Sequence, residues 1–142
     1  MQRLALILVL CVCCCSCHKA PPRKATYPVT GTVLVDGKPA DDLAIRCLSA
    51  TGLLDEKDPT VSAAFTDKDG KFQIATYQKA DGVPAGSYVL TFEWGQRNLI
   101  SAQYGGPDKL NGKYLSAKTS TVTFEVKEGE PKDLGTIQLT TK

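Results

Sequence analysis

The chain has 142 residues, 42% hydrophobic and 7% aromatic, with 17 Lys and Arg against 15 Asp and Glu, the size and make-up of one globular domain, which excludes collagenous or wholly disordered architectures. A formal net charge of +2 is too small for a nucleic-acid footprint, and no Lys/Arg run or RNA-binding aromatic motif supplies one, so no nucleic-acid partner is expected. A single histidine, His18, allows neither a His-based triad nor a multi-His zinc site.

Five of the six cysteines lie in the first seventeen residues, MQRLALILVLCVCCCSC. Arg3 supplies a positive start, and Leu4 to Cys15 is a run of 12 residues without a charge. That length suits the apolar stretch of an export signal and is short for crossing a bilayer. The segment LVLCVCCCSC sets the small Ser16 directly before Cys17 and resembles the lipobox of bacterial lipoproteins. The resemblance implies that residues 1–16 are a signal peptide cut before Cys17, and that the Cys17 thiol is diacylated with palmitate-type chains, with the new amino group commonly acylated too. The family's box carries Leu three places before its cysteine, where this chain has Cys14. Cys11, Cys13, Cys14 and Cys15 are rivals; Cys17 is favoured because the first polar stretch follows it. A plain secretory signal and an uncleaved anchor are the alternatives, and a soft-metal thiolate cluster is disfavoured by the surrounding Leu, Ile and Val. Lipidation places the protein in the cell envelope, anchored to a membrane outside the cytoplasm on its periplasmic or cell-surface side. Each buried methylene then contributes about 0.8 kcal/mol to membrane affinity.

Residues 17–26 read as the lipidated cysteine and its tether, since HKAPPRKAT has two prolines, three basic side chains and no apolar pattern. Lys19, Arg23 and Lys24 either touch anionic head groups or are solvated along a linker. From Tyr27 onward the apolar period is two. Thr121 to Val126 alternates Val122, Phe124 and Val126 with Thr121, Thr123 and Glu125; Ser87 to Trp94 alternates Tyr88, Leu90, Phe92 and Trp94 with Ser87, Val89, Thr91 and Glu93. Five more strands are predicted at Val29 to Val35, Leu43 to Ser49, Val61 to Thr66, Phe72 to Ala75 and Leu134 to Thr140. Asp36-Gly37, Asp67-Lys68-Asp69-Gly70, Pro84-Ala85-Gly86 and Glu128-Gly129 supply turn chemistry between them. No segment of the mature chain shows a helical stripe of ten residues. Residues 27–142 are therefore predicted to be one all-β domain, a seven-stranded antiparallel β-sandwich.

Cys47 shares a strand face with Leu43 and Ile45 and reads as a buried free thiol, with Arg46 on the opposite face. Asp67, Asp69 and Gly70 echo a calcium loop, but Phe65 and Thr76 occupy the positions where an EF-hand needs an acid and a bidentate Glu. The turn reading is preferred to a calcium site. A Lys-to-Asn or Lys-to-Asp crosslink, which needs a buried Lys, an amide or acid and a catalytic carboxylate, is disfavoured; Asn98 and Asn111, the only asparagines, fall in the long connection from Gly95 to Thr119. Connections of that length are usually functional or mobile. This one carries Arg97, Gln103, Tyr104, Lys109, Lys113 and Tyr114, a polar and aromatic set suited to contact with glycan or protein. The competing reading is that Tyr114 and Leu110 pin the loop to the sandwich edge. Trp94 is assigned to the core rather than to a platform. Asp41 with Asp42 and Asp55 with Glu56 sit in predicted turns, where adjacency alone makes no facing acid/base pair.

VTGTVLVDGKPADDLAIRCL, FTDKDGKFQIAT, VPAGSYVLTFEW and KLNGKYLSAKTSTVTFEVKEG resemble, in order and spacing, the small lipoproteins abundant in planctomycetes that carry a carboxypeptidase-regulatory-like, transthyretin-like domain. The resemblance covers Val29 to about Leu139. It implies a sandwich of the transthyretin or prealbumin type, Ig-like in outline, exported and lipid-anchored, with no catalytic residues and no cofactor. Between Trp94 and Lys118 the chain departs from the family, which often has Pro-rich sequence there, so no ligand property of that loop is carried over. The expected function is a non-catalytic interaction or structural module, with the membrane, an envelope protein or a polysaccharide as partner. The alternative is a small-ligand or calcium-binding carrier of the transthyretin type.

Overall fold

The computed structural model describes residues 23–50, 60–98 and 100–142. The leader with Cys17, the tether before Arg23, and the pair Asp55 and Glu56 lie outside these residues. Ten strands follow in order among the described residues: β1 Val29–Val35, β2 Lys38–Pro39, β3 Ala44–Ser49, β4 Ser62–Phe65, β5 Lys71–Gln73, β6 Gly86–Glu93, β7 Gln96–Arg97, β8 Tyr104–Gly105, β9 Thr123–Val126 and β10 Lys132–Leu139. The seven longer ones are those that period-two patterning predicts. The three others are two residues each, too short to show a period. No helix among the described residues is long and apolar enough to cross a membrane.

Two sheets pack face to face. In the first, β10 lines one edge of β1, and β2 and β5 pair with successive parts of its other edge. The second runs β4-β3-β6-β9, antiparallel throughout. The antiparallel expectation fails at one pair, because β10 lies parallel to β1, in register Val33 to Ile137 and Val35 to Leu139, with a register shift between Thr30 and Thr32. A parallel neighbour needs a long crossover, and here the whole second sheet lies between β1 and β10 in the sequence.

Alternation sets the core. Val29, Val33 and Val35 point inward from β1; Ile45 and Cys47 from β3; Phe72 from β5; Leu90 and Phe92 from β6; Ile137 and Leu139 from β10. Gly31 sits on the same inward face, where an added Cβ would come within 2.8 Å of the Phe72 ring, so a glycine is what lets that ring pack across β1. In β6, which lies between β3 and β9, Val89 and Thr91 on the outer face are buried as well as Leu90 and Phe92. The Asp67 to Gly70 turn closes on itself. Asp67 Oδ1 accepts the N–H groups of Asp69 and Lys71, both at 2.9 Å, and Gly70 has a φ of 75°.

The two ends of the sandwich differ. The chain enters beside Val83, with which Tyr27 exchanges two backbone hydrogen bonds, and the Arg23 guanidinium stands 5.4 Å from the Tyr77 ring centroid. A Cβ at Gly82, whose φ is 81°, would run into the Tyr27 carbonyl. From there β1 runs about 20 Å, at roughly 3.3 Å per residue, to the opposite end. That far end carries Asp36-Gly37, the residues that follow β2, and the Asp67 to Gly70 turn, whose Gly70 carbonyl accepts Val33 N–H at 2.7 Å.

Candidate functional site

At the far end the short β7–β8 ribbon stands against the start of β3 and the end of β6. Tyr104 holds it there. Its hydroxyl donates to the Glu93 carbonyl at 2.9 Å and accepts the N–H groups of Gly95 at 2.8 Å and Ala44 at 3.3 Å. Burial foremost raises the Tyr104 pKa above its ordinary value, against the lowering effect of the two N–H donors, so the phenol stays neutral. Its ring meets Phe65 edge-on at 5.0 Å. The Arg97 guanidinium lies 4.7 Å from the Phe65 centroid and 5.8 Å from that of Tyr104, and donates to Asp42 at 2.9 Å. The hydrogen bond to the Asp42 carboxylate, and then its charge, raise the Arg97 pKa.

A second cation and ring pair lies alongside. Lys109 Nζ stands 4.5 Å from the Trp94 ring centroid, and Trp94 Nε1–H donates to the Asp41 carbonyl at 3.0 Å. Trp94 is half-buried: it packs against the core and also presents its ring to Lys109, so it is not confined to the core role expected of it. Together, Phe65, Arg97, Tyr104, Trp94 and Lys109 form a ledge of rings capped by cations. Ile100, 98% exposed, projects from the ribbon's tip, and a cleft of about 330 Å³ is lined by Arg97, Asn98, Ser101, Gln103 and Tyr104 among others.

The five proposed contact residues divide into two groups. Arg97, Tyr104 and Lys109 come together on the ledge. Lys113 and Tyr114 lie beside the C-terminal strand. Lys113 Nζ donates to Thr140 Oγ1 at 2.9 Å and to the Lys142 carbonyl at 2.7 Å, while Tyr114 Oη accepts Thr140 N–H at 3.1 Å. The Tyr114 ring meets Phe92 edge-on at 6.3 Å, and Leu110 is fully buried, so both residues also tie the connection to the sandwich. Asp108 completes the tie by accepting N–H bonds from Trp94, Leu110 and Gly112.

Phe65 and Ile100 belong to the ledge and were not singled out from sequence. The signal for Phe65 is present in β4, where small Ser62 and Ala64 alternate inward and leave Val61 and Phe65 facing out, each 45% exposed. Ile100 carries no such pattern. Asn98 and Asn111 engage in local bonds: Asn98 Oδ1 accepts the N–H groups of Ile100 and Ser101, and Asn111 donates to the Thr141 carbonyl. Cys47 is buried, and burial pushes its pKa up to about 12. Arg46 faces away from it and pairs with Glu93 at 3.8 Å. Among the described residues no group of three His, Cys, Asp or Glu side chains is placed to hold a metal ion.

No family model matches the chain, and no curated protein matches its sequence. Among solved structures, it is similar to a putative carbohydrate binding protein from Pseudomonas aeruginosa, with 15% identity over 85% of this chain and 92% of that one and a TM-score of 0.47. It is similar also to 5-hydroxyisourate hydrolase of Klebsiella pneumoniae, with 17% identity over 82% of this chain and 91% of that one and a TM-score of 0.41. The major pilin subunit of Bacillus cereus overlaps 82% of this chain at 11% identity and a TM-score of 0.46. The chain spans 29% of that pilin's length and 16% of the length of a Cyanothece 9R-lipoxygenase. At such identities and TM-scores these likenesses carry no functional argument.

Proposed function

We propose that this is a lipid-anchored cell-envelope protein, moored through Cys17, whose β-sandwich is a non-catalytic interaction module of the carboxypeptidase-regulatory-like type. The observation that carries the reading is polarity. The tether joins the sandwich beside Val83 and Tyr77, whereas the Phe65, Arg97 and Tyr104 cluster lies at the other end, about 20 Å along β1 at 3.3 Å per residue. A lipid at Cys17 would therefore turn the ledge away from the bilayer and towards other envelope components. The chemistry of the ledge suits recognition. Aromatic and Arg side chains dominate contact energetics, and here the Tyr104 ring is already fixed by its hydroxyl's three hydrogen bonds, so little of its side-chain entropy is lost on binding.

Site-specific photo-crosslinking in intact cells tests this. A photoreactive residue replacing Ile100 or Lys109 should join the protein to an envelope macromolecule, protein or polysaccharide, and the same residue at Glu128, near the tether end, should not. Equal labelling from both ends, or none from the ledge, would contradict the reading.

A further inference from the structure

A second surface lies on the outer face of the first sheet. Thr30 and Thr32 alternate with buried Val29, Gly31 and Val33, and so face outward. Register sets Thr30 between Gln73 on β5 and Asp133 on β10, and Thr32 opposite Lys71. With Asp67, Lys79 and Phe65 these residues line an open groove of about 620 Å³. We infer that this groove binds a neutral polysaccharide chain, an assignment that rests on reading the domain as an interaction module and names its ligand class.

Three features single out that chemistry. The charges cancel, since Lys71 and Lys79 oppose Asp67 and Asp133, so neither a polyanion nor a polycation gains from the local field. The remaining polar groups are hydroxyls and an amide, each able both to donate and to accept, as vicinal sugar hydroxyls require. The third feature is Phe65, a ring 45% exposed at the margin of the groove, held in place by Tyr104 and Arg97. It offers an apolar platform for the C–H face of a pyranose. The groove is open to solvent rather than closed, which suits a polymer more than a small molecule enclosed on all sides.

The test is native affinity electrophoresis of the protein extracted in detergent from its own cells, in gels containing hydroxyethylcellulose, glucomannan or polygalacturonate. At least one neutral polymer should retard it, and polygalacturonate should not retard it more. Phe65→Ala, and separately the outward-facing pair Thr30→Val with Gln73→Ala, should each raise the dissociation constant about tenfold. Glu128→Gln, near the tether end and away from both surfaces, should leave it unchanged. Circular dichroism checks folding, and the Thr30 and Gln73 pair decides the matter if Phe65→Ala unfolds. Unchanged mobility in both neutral gels, retardation by polygalacturonate alone, or undiminished binding of the Thr30 and Gln73 variant would overturn the assignment. Crosslinking from Ile100 alongside unchanged mobility in the neutral gels would overturn the groove and leave the ledge standing.

Discussion

The Asp108 carboxylate fixes the start of the long connection by accepting three backbone N–H bonds, from Trp94 and Gly112 at 2.8 Å and from Leu110 at 3.0 Å. Partial burial raises its pKa, but the three donors together outweigh that and hold it below the ordinary value of 3.8. The sign follows. A depressed folded pKa gives stability that is present above the ordinary value and is lost as pH falls through the folded one. Melting of Asp108→Ala should show a loss of about 1–2 kcal/mol at neutral pH, with the gap to the parent protein closing below about pH 4. A gap that does not narrow as pH falls below about 4 would contradict this. Cys47 makes the opposite case. Burial pushes its thiol up to about 12, so peptide mapping after maleimide treatment at pH 8 should find it unlabelled in native protein and labelled in urea. Its inward face was legible because Leu43 and Ile45 share its parity. Ile100 was not legible, because an apolar residue at a ribbon tip departs from every periodicity.

Among the elements, Leu110 is the anchor that makes the Gly95 to Thr119 connection part of the domain. It is fully buried in the core. Leu110→Ala should cost about 2–5 kcal/mol in denaturant unfolding, and limited trypsin digestion should then cut at Lys109 or Lys113 at least tenfold faster. Loss of stability without faster cleavage there would mean that the loop is held by Asp108 and Tyr114 alone. Most of the seven longer strands were readable because small or apolar residues recur at every second position, as in β1 and β9, even where the outer face is also apolar, as at Phe65 in β4 and Val89 in β6. The β7–β8 ribbon was not, since Gln96–Arg97 and Tyr104–Gly105 are both polar or small pairs. Pairing direction was not readable either. Alternation in Leu134 to Thr140 shows which face of β10 is buried, as Ile137 and Leu139 confirm, but it is indifferent to whether β1 runs alongside in the same or the opposite sense. In the candidate site, Arg97, Tyr104 and Lys109 were found by residue type, whereas their meeting with Phe65 and Trp94 depends on β4, β6 and β7 converging at one end.

For the whole molecule polarity is decisive, with the chain entering at one end and the ring-and-cation ledge at the other. That arrangement matters functionally only when the entering end is moored. Between Cys17 and Tyr27 the sequence holds only the spacer HKAPPRKAT, which reaches at most about 3.1 Å per residue. A lipid on Cys17 would therefore keep the sandwich close to the membrane with its ledge outward. Intact-mass measurement of the protein extracted in detergent from its own cells tests this most directly. The expected mass lacks residues 1–16 and carries two or three fatty acyl chains at Cys17. A full-length, unacylated mass recovered from the soluble fraction would contradict it.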